Sequence, residues 1–213
     1  MIVGITGQIN SGKDTIAGIL QENYNAVKMS FADPLKSYIL QIFPETVTQE
    51  ALWGPSEKRT PEVRKLLQTF GTEVARAHDE QVWVRHTLRR ISWFRQTGKD
   101  SLGLFDTTHS NRPIVIPDVR FLNEAAMVTE MCGGELIRLL RPLSYDLVQA
   151  ELGTRNHPSE TEMQQIPDAS LFDTIINDGT LNELKTKIHD VIHRIIKEPD
   201  RDTFLAASRP TPR

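Results

Sequence analysis

Five apolar runs recur along the chain, at residues 2–6, 26–31, 113–117, 135–140 and 173–177, and longer stretches of mixed polarity separate them. Most of these runs are continuously apolar rather than alternating between apolar and polar positions. That pattern is typical of strands that are buried on both faces of a parallel sheet. The runs therefore predict a central parallel five-stranded sheet.

Apolar residues in the intervening stretches recur at helical spacing. The clearest pattern follows Thr60-Pro61, which is typical of an N-cap with proline at the first helical position. The apolar residues at i, i+3, i+4, i+7 and i+11 are Val63, Leu66, Leu67, Phe70 and Val74. This spacing predicts one apolar face of a helix. Shorter patterns predict helices over 15–23, 84–91, 121–131 and 181–196. Strand and helix thus alternate as in an α/β fold, which we expect to be a three-layer sandwich.

A glycine-framed loop separates the first strand from the first helix, with the sequence Gly7-Gln8-Ile9-Asn10-Ser11-Gly12-Lys13-Asp14-Thr15. A phosphate-binding P-loop requires this order of strand, glycine-rich loop and helix. Glycines permit backbone angles at which N–H groups turn inward, and the helix directs its positive end at the same anion. Lys13 can reach the β- and γ-oxygens of a nucleotide, and we predict that it is catalytic. The predicted ATP-binding residues of this loop are Asn10, Ser11, Gly12, Lys13, Asp14 and Thr15.

The position after Gly12-Lys13 departs from the usual P-loop. A serine or threonine commonly stands there, and its hydroxyl binds magnesium. This chain has Asp14 instead and brings a hydroxyl one residue later, at Thr15. Magnesium prefers oxygen ligands and keeps several waters, so Asp14 could hold the metal directly or through water. The structural alternative is a chance Gly-Lys turn that caps a helix.

The third apolar run ends in an acid, within Pro117-Asp118-Val119-Arg120. The acid after such a strand is the usual counterpart of a P-loop, because its carboxylate can orient magnesium or its waters. Ligands of open α/β sheets bind at the carboxyl edge of the strands. We therefore predict Asp118 as a substrate-binding and metal-binding residue and Arg120 as catalytic. The predicted metal ligands are Asp14, Thr15 and Asp118. An ordinary turn with a solvated Asp–Arg pair is the alternative.

Two insertions interrupt the alternation of strands and helices. Residues 33–110 add mostly helical material, and residues 141–170 form a polar segment that contains Arg141 and Arg155. One insertion for an acceptor and one for a lid is the plan of a small-molecule kinase. Phosphoryl transfer is catalysed mainly by positioning and charge neutralisation, so we predict Arg141 and Arg155 as catalytic; a solvated loop is the alternative. We expect one domain over residues 1–197 and a flexible tail over 198–213.

Side chains that could face an acceptor follow the second strand and lie on the helix predicted after Thr60-Pro61. Lys36 opens a helix near the sheet edge, where it could hold a phosphate. Arg64, Gln68 and Thr72 form a polar stripe at i, i+4 and i+8. Arginine can clamp a phosphate and glutamine can bond to a base edge, although a solvated helix face explains the same stripe. Packing explains Trp83 better than stacking does, unless its ring lines the cleft.

The bulk composition narrows the class of protein. The 213 residues are 38% hydrophobic and 25% charged, with a formal net charge of −3. A mildly acidic chain is a poor candidate for general nucleic-acid binding. A single cysteine, Cys132, excludes an internal disulfide and fits a reducing cytoplasm. No apolar run approaches the ~20 residues of a membrane span, and the first residues predict a core strand rather than a signal peptide. We expect a cytoplasmic protein without a membrane or polymeric nucleic acid as partner.

The chain resembles the deoxynucleoside monophosphate kinases of T-even-type bacteriophages over nearly its whole length, to about residue 192. The matching segments are residues 11–15, 23–28, 32–36 and 64–72, Trp83-Val84, residues 117–120, Arg141-Pro142 and Asn177-Asp178-Gly179-Thr180. Gly-Lys-Asp is the usual loop ending of this family. The resemblance implies a P-loop kinase in the host cytoplasm that moves the γ-phosphate of ATP to a deoxynucleoside monophosphate, with Mg2+ as cofactor. In P-loop kinases the loop of Asp178 can lie beside the adenine. The acceptor residues that the resemblance implies are Lys36, Arg64, Gln68, Gly71, Thr72 and Trp83.

The first insertion looks shorter than in the T-even-type enzymes. Its part between Pro44 and Thr60 aligns poorly, so the resemblance carries no role over onto Arg59. That region can help to set base preference and the contacts of a homodimer.

Two other functions stay open. Phosphomevalonate kinases also have Gly-Lys-Asp loops and would accept a small phosphorylated acid, and a P-loop protein can bind nucleotide as a switch. A pocket with Gln68 and an aromatic wall favours a nucleotide, whereas a pocket ringed only by arginine and lysine favours the acid.

Overall fold

A computed structural model describes residues 1–54, 58–142 and 161–197 of the chain. Within these residues, five strands form one parallel sheet in the order β2-β3-β1-β4-β5. The strands are β1 (Ile2–Thr6), β2 (Val27–Lys28), β3 (Ile114–Val119), β4 (Glu135–Leu140) and β5 (Asp173–Ile176). The predicted α/β class with a central parallel sheet is confirmed.

Helices fill the connections between the strands. The α-helices, numbered within the described residues, are α1 (Lys13–Tyr24), α2 (Ala32–Ile42), α3 (Gln49–Trp53), α4 (Pro61–Gln68), α5 (Val82–Thr97), α6 (Leu122–Ala126) and α7 (Leu181–Lys197). π-helical segments, Thr69–Arg76 and Met127–Met131, continue α4 and α6, and 3-10 turns lie at Glu162–Gln165 and Asp168–Ser170. Helices α2 to α5 lie between β2 and β3, in agreement with the helical insertion predicted there.

Two hydrophobic clusters cover the two faces of the sheet. Neighbouring strand residues belong to opposite clusters: Ile2 and Ile114 to one, Val3 and Val115 to the other. Helices α1 and α7 pack with Val3, while α2, α4, α5 and α6 pack with Ile2. Each fully buried aliphatic side chain contributes roughly 1.5–3 kcal/mol. Burial on both faces explains why the strands are continuously apolar, and it produces the three layers.

Strand β2 covers only part of the apolar run at 26–31. As an edge strand it pairs with β3 alone: the Val27 N–H donates to the Pro113 carbonyl at 2.8 Å, and the Met29 N–H donates to the Val115 carbonyl at 3.0 Å. Beyond Met29 the chain leaves the sheet, and α2 begins at Ala32. Met29 is nevertheless fully buried. Hydrophobicity therefore marked a buried segment that is longer than the strand.

The apolar face predicted through Val74 is wrong at its end. Helix α4 is regular only to Gln68, and its continuation is π-helical. A π-helix bonds residue i to i+5, so later side chains are rotated around the axis relative to an α-helix. As a result, Val74 is 55% exposed and Arg76 is buried. The same stretch thus places a charged side chain inside the protein.

The predicted lid at residues 141–170 falls largely outside the described residues, which include only 141–142 and 161–170 of it. Arg155 and the tail at 198–213 also lie outside them. In the ranges that the structure describes, no helix combines the length and apolarity needed to cross a membrane.

Candidate active site

Two glycines let the P-loop close against the ends of β4 and β5. Gly7 has a φ of 152°, and a Cβ there would lie 2.3 Å from the carbonyl oxygen of Leu139. Gly12, the N-cap of α1, has a φ of 103°, and a Cβ there would lie 2.8 Å from the side-chain nitrogen of Asn177. Any side chain would strain the backbone and push the loop away from these strands.

Lys13 lies over this loop. Its ammonium donates hydrogen bonds to the carbonyls of Gly7 at 2.6 Å and Gln8 at 2.5 Å, and lies 3.4 Å from the hydroxyl oxygen of Ser11. Lys13 is also the first residue of α1, where backbone N–H groups have no partner within the helix. The loop can therefore present an ammonium and a helix N-terminus to the same phosphate.

Residues from two other strand ends hold the loop in place. The side-chain amide of Asn177, directly after β5, donates to the carbonyl of Ser11 at 2.8 Å. The guanidinium of Arg141, directly after β4, donates to the carbonyl of Asn10 at 3.4 Å. The P-loop conformation thus depends on residues far away in the sequence.

Asp178, the residue after Asn177, has a different partner from the residues that hold the P-loop. Its exposed carboxylate accepts a 2.9 Å hydrogen bond from Lys187. That bond is the main reason that the pKa of Asp178 is lowered. Among the described residues that line the cleft beside the P-loop, Asp178 does not occur. Its contact with ATP stays a prediction, whereas its neighbour Asn177, which sequence reasoning did not select, supports the loop directly.

The P-loop opens into a cleft of about 760 Å3. Most of the residues selected from the sequence meet there, although they come from distant segments. Those that line the cleft are Asn10, Gly12, Lys13, Asp14, Thr15, Lys36, Arg64, Gln68, Gly71, Thr72, Trp83, Asp118, Arg120 and Arg141. Ser11 is buried, and Arg155 falls outside the described residues. The individual roles of these residues stay predictions.

Asp14 forms an ion pair with Lys28 at the end of β2, at 2.6 Å, and 85% of its side chain is exposed. Partial desolvation disfavours its ionisation, but the ammonium groups of Lys28, Lys36 and Lys13 outweigh this effect and lower the pKa of Asp14. Asp14 is therefore a carboxylate at neutral pH, and it can bind a cation.

Asp118 joins the end of β3 to the start of α2. Its two carboxylate oxygens accept hydrogen bonds from the backbone N–H groups of Phe31 at 2.9 Å and Ala32 at 3.0 Å. Burial and the nearby charge of Asp33 raise the pKa of Asp118, while these two bonds oppose the rise. Each carboxylate oxygen has a second lone pair, so Asp118, which lines the cleft, keeps acceptor capacity.

The oxygen donors predicted as magnesium ligands could hold an ion whose other ligands are phosphates and waters. In the described part of the chain, no group of three or more His, Cys, Asp or Glu residues could hold a metal. Asp14 and Thr15 are exposed oxygen donors at the P-loop. Proteins usually hold Mg2+ through one or two carboxylates together with substrate phosphates and waters. These donors therefore fit an ion that arrives with the phosphates of a nucleotide.

Three cations from the helical insertion, Lys36, Arg59 and Arg64, line the same cleft. We call them the acceptor cations, after the role predicted for Lys36 and Arg64. Burial lowers the pKa of Lys36, and Asp33 opposes this shift while Arg59 adds to it. Burial also lowers the pKa of Arg59, with a further contribution from Arg64. Cations that disfavour each other's charge are stabilised by a bound anion. The acceptor cations can therefore bind a phosphate.

Two tryptophans give the cleft aromatic walls. Trp83 is 7% exposed, and its indole N–H donates to the carbonyl of Gly71 at 2.9 Å. The indole N–H of Trp53 donates to the Asp33 carboxylate at 3.0 Å, and its ring centroid lies 5.8 Å from the ammonium of Lys36. Because both N–H groups have internal partners, the orientation of each ring is set by the protein.

Several residues that line the cleft were not selected as site residues from the sequence, namely Lys28, Trp53, Arg59, Arg76, Phe121 and Glu124. Trp53 and Arg59 lie in a region without a clear periodic pattern. Arg59 is held by the carbonyls of that same region, those of Ala51 at 3.2 Å and Leu52 at 2.8 Å. Glu124 stands three residues after the N-cap of α6, but that N-cap is Phe121, which lacks the side-chain oxygen of a capping box, so no clear signal in the sequence marked it.

Comparison with known proteins relates the chain to a viral relative. A protein of Acanthamoeba polyphaga mimivirus, described as "Putative deoxynucleotide monophosphate kinase", is 30% identical over 197 residues, which span 88% of this chain and 94% of that protein. No family model matches the chain.

Similar solved structures include a dephospho-CoA kinase from Campylobacter jejuni, with a TM-score of 0.49 and 16% identity over 93% of this chain and 98% of that chain. TT1252 from Thermus thermophilus has a TM-score of 0.49 and 17% identity over 92% of this chain and 97% of that chain. A shikimate kinase from Acinetobacter baumannii, in complex with shikimate, has a TM-score of 0.41 and 14% identity over 91% of this chain and 94% of that chain.

Proposed function

The chain belongs to the family of the mimiviral deoxynucleotide monophosphate kinase, and on this premise we propose that it transfers the γ-phosphate of ATP to a deoxynucleoside monophosphate. One observation supports this most strongly: the P-loop and the acceptor cations line one cleft. A phosphoryl group can pass directly between two phosphate-bearing substrates only if both lie in the same site. We also propose that the reaction takes place in the cytoplasm of a virus-infected host and supplies deoxynucleotides.

The P-loop side of the cleft suits the donor. The ammonium of Lys13 and the N-terminus of α1 lie at the P-loop, and they would bind the β- and γ-phosphates of ATP. Asp14, Thr15 and Asp118 would hold magnesium, which neutralises charge on the phosphate oxygens when it is bound.

The helical insertion suits the acceptor. Lys36, Arg59 and Arg64 would bind the acceptor phosphate, and arginine can do so through two parallel hydrogen bonds. Gln68 and Thr72 line the same cleft and can donate to and accept from a base edge. Gly71, the third residue in this part of the wall, lets the backbone pack closely: a Cβ there would lie 2.7 Å from a methyl carbon of Leu35.

The reaction would be an in-line transfer. An oxygen of the acceptor phosphate attacks the γ-phosphorus, and the bond from that phosphorus to the β–γ bridging oxygen breaks. The electron pair of that bond leaves with ADP, and the other product is the deoxynucleoside diphosphate. A phosphate monoester is largely ionised at neutral pH, so the attacking oxygen needs no general base. Arg120, Arg141 and Arg155 would neutralise the charge of the transferring group.

A kinase of the phosphomevalonate type is the second candidate. The lining of the cleft favours a nucleotide over a small phosphorylated acid, because Trp53, Trp83 and Gln68 accompany the cations. A nucleotide-binding switch is the third candidate. It would hydrolyse ATP slowly and would not respond to an acceptor, and a cationic acceptor wall gives it no advantage.

An ADP-release assay distinguishes the three functions. Purified protein is mixed with ATP, Mg2+ and each of the common deoxynucleoside and nucleoside monophosphates in turn, and with phosphomevalonate. We expect rapid ADP release with at least one deoxynucleoside monophosphate. Release with phosphomevalonate alone would support the second candidate. Slow release that no acceptor stimulates would contradict both kinase functions.

A further inference from the structure

A buried ion pair joins two walls of the cleft. Arg76, the last residue of the π-helical segment after α4, bonds through Nη2 to Oε1 of Glu124. The two side chains are only 8% and 3% exposed. The other oxygen, Oε2, accepts hydrogen bonds from the backbone N–H groups of Arg120 at 2.7 Å and Phe121 at 3.2 Å. One carboxylate therefore connects the helical insertion to the turn that bears Arg120.

The guanidinium of Arg76 is held from several sides. Its Cζ lies 3.6 Å from the centroid of the Phe121 ring. Its Nη1 donates to the carbonyl of Glu80 at 3.3 Å and to the side-chain oxygen of Asn123 at 3.4 Å. These contacts hold the side chains of the ion pair in place. A shift of the π-helical segment would therefore be transmitted to the turn. The same segment supplies the Gly71 and Thr72 positions of the cleft.

Stability alone is a weak explanation for this pair. Burial raises the pKa of Glu124 to about 7, although the charge of Arg76 opposes the rise. Buried ion pairs are often no more stabilising than well-packed apolar residues. We propose that Arg76 and Glu124 are positioning residues for phosphoryl transfer, which hold the backbone of Arg120 in register with the acceptor wall. This inference rests on the proposed function.

A double-mutant cycle between Glu124→Gln and Arg120→Ala tests the proposal. The assays are run at about pH 8, above the pKa of Glu124, so that the wild-type carboxylate is ionised. In the variant, an NH2 group replaces one carboxylate oxygen and meets an N–H group from which Glu124 accepts a hydrogen bond. The turn therefore loses part of its support. Misplacement by about 1 Å can cost roughly 100-fold in rate. We therefore expect kcat to fall about 10- to 100-fold, while KM for ATP changes by less than about 3-fold.

The cycle separates positioning from a general structural effect. If Glu124 acts through Arg120, Glu124→Gln lowers kcat by less than about 3-fold further when Arg120 is already alanine. Full additivity of the two losses would overturn the proposal. An unchanged kcat in the single Glu124→Gln variant would overturn it as well.

Asp100→Asn is the matched control. Asp100 is also buried, and it accepts bonds from a guanidinium, that of Arg90 at 2.5 Å, and from a backbone N–H, that of Leu104 at 2.9 Å. Arg90 also donates to the Asp33 carboxylate at 2.6 Å, but none of Asp100, Arg90 and Leu104 is among the described residues that line the cleft. We expect Asp100→Asn to lower the thermal midpoint and to keep kcat within about 2-fold of the wild type. A loss of kcat as large as that of Glu124→Gln would overturn the positioning role.

The wild-type protein shows which of the two proposals has failed. Absence of acceptor-stimulated ADP release in the wild type overturns the proposed function and this inference together. Normal activity in the wild type with an additive cycle overturns only the positioning role of Arg76 and Glu124.

Discussion

The side-chain amide of Asn177 donates a 2.8 Å hydrogen bond to the carbonyl of Ser11. The bond connects the end of β5 to the P-loop across the carboxyl edge of the sheet. Conformation of the phosphate-binding loop therefore depends on a residue near the other end of the chain.

The bond between Asn177 and Ser11 predicts a defect in ATP binding when Asn177 is replaced by alanine. One such hydrogen bond contributes about 0.5–1.5 kcal/mol, so we expect KM for ATP to rise roughly 2- to 10-fold with a smaller change in kcat. Steady-state kinetics at saturating acceptor measures both constants. Asn182→Ala removes an exposed amide at the start of α7 and serves as the control. Equal effects of the two variants would contradict a specific role of Asn177.

Lys13→Ala is expected to abolish transfer and to leave the fold intact. The Lys13 ammonium donates to the carbonyls of Gly7 and Gln8 at the rim of the loop, so its removal exposes carbonyls to water rather than opening a cavity. We expect kcat to fall at least about 100-fold. A coupled ADP assay and a far-UV thermal melt are the measurements. Lys65→Ala, an exposed lysine of α4, is the control. Near-normal turnover of Lys13→Ala would show that the P-loop assignment is wrong.

The half-buried position of Lys36 predicts an alkaline limit to activity. Its pKa is lowered, chiefly by burial, so it loses its charge at a lower pH than an ordinary lysine. Above that pKa a neutral amine no longer attracts the acceptor phosphate, and kcat/KM for the acceptor falls as pH rises. In Lys36→Arg the charge persists, so the alkaline limb should move to higher pH. The measurement is kcat/KM for the acceptor as a function of pH.

Lys65→Arg is the control for this titration, because Lys65 is exposed and does not line the cleft among the described residues. It should leave the alkaline limb where it is in the wild type. A limb that does not move in Lys36→Arg would show that another group titrates.

Trp83→Phe tests how the aromatic wall is held. Phenylalanine keeps an aromatic ring but cannot donate to the Gly71 carbonyl, which accepts the Trp83 indole N–H at 2.9 Å. The lost bond should cost about 1 kcal/mol, equivalent to a thermal midpoint lower by roughly 2–4 °C for a chain of this size. Differential scanning calorimetry measures the midpoint. Trp93→Phe, at an indole that is 49% exposed, should lower it less, and the reverse order would contradict the contact.

The local sequence was sufficient to predict the strands and the P-loop. The runs at 2–6 and 135–140 form β1 and β4 with the same bounds, because a strand buried on both faces needs apolar residues at consecutive positions. Gly7 and Gly12 adopt the positive φ angles that make a P-loop possible. These properties depend on a few neighbouring residues, and they are therefore visible in the order of residue types.

Helical periodicity predicted the helices less completely. It predicted α4 correctly but not its π-helical continuation, where Val74 is exposed and Arg76 is buried. A change in the number of residues per turn comes from packing against the rest of the protein. Arg76 bonds to Glu124, which lies 48 residues later in the sequence, and no local pattern contains such a contact.

The sequence by itself thus determined the α/β class and the phosphate-binding loop, because short-range patterns of burial and backbone freedom specify both. Only the tertiary structure decided which side chains share the cleft with Lys13. It brought in Trp53 and Arg59 from a part of the sequence without a clear periodic pattern, and it connected Arg120 to Arg76 through Glu124. Packing between distant segments sets these relationships, and it depends on the whole fold rather than on the order of neighbouring residues.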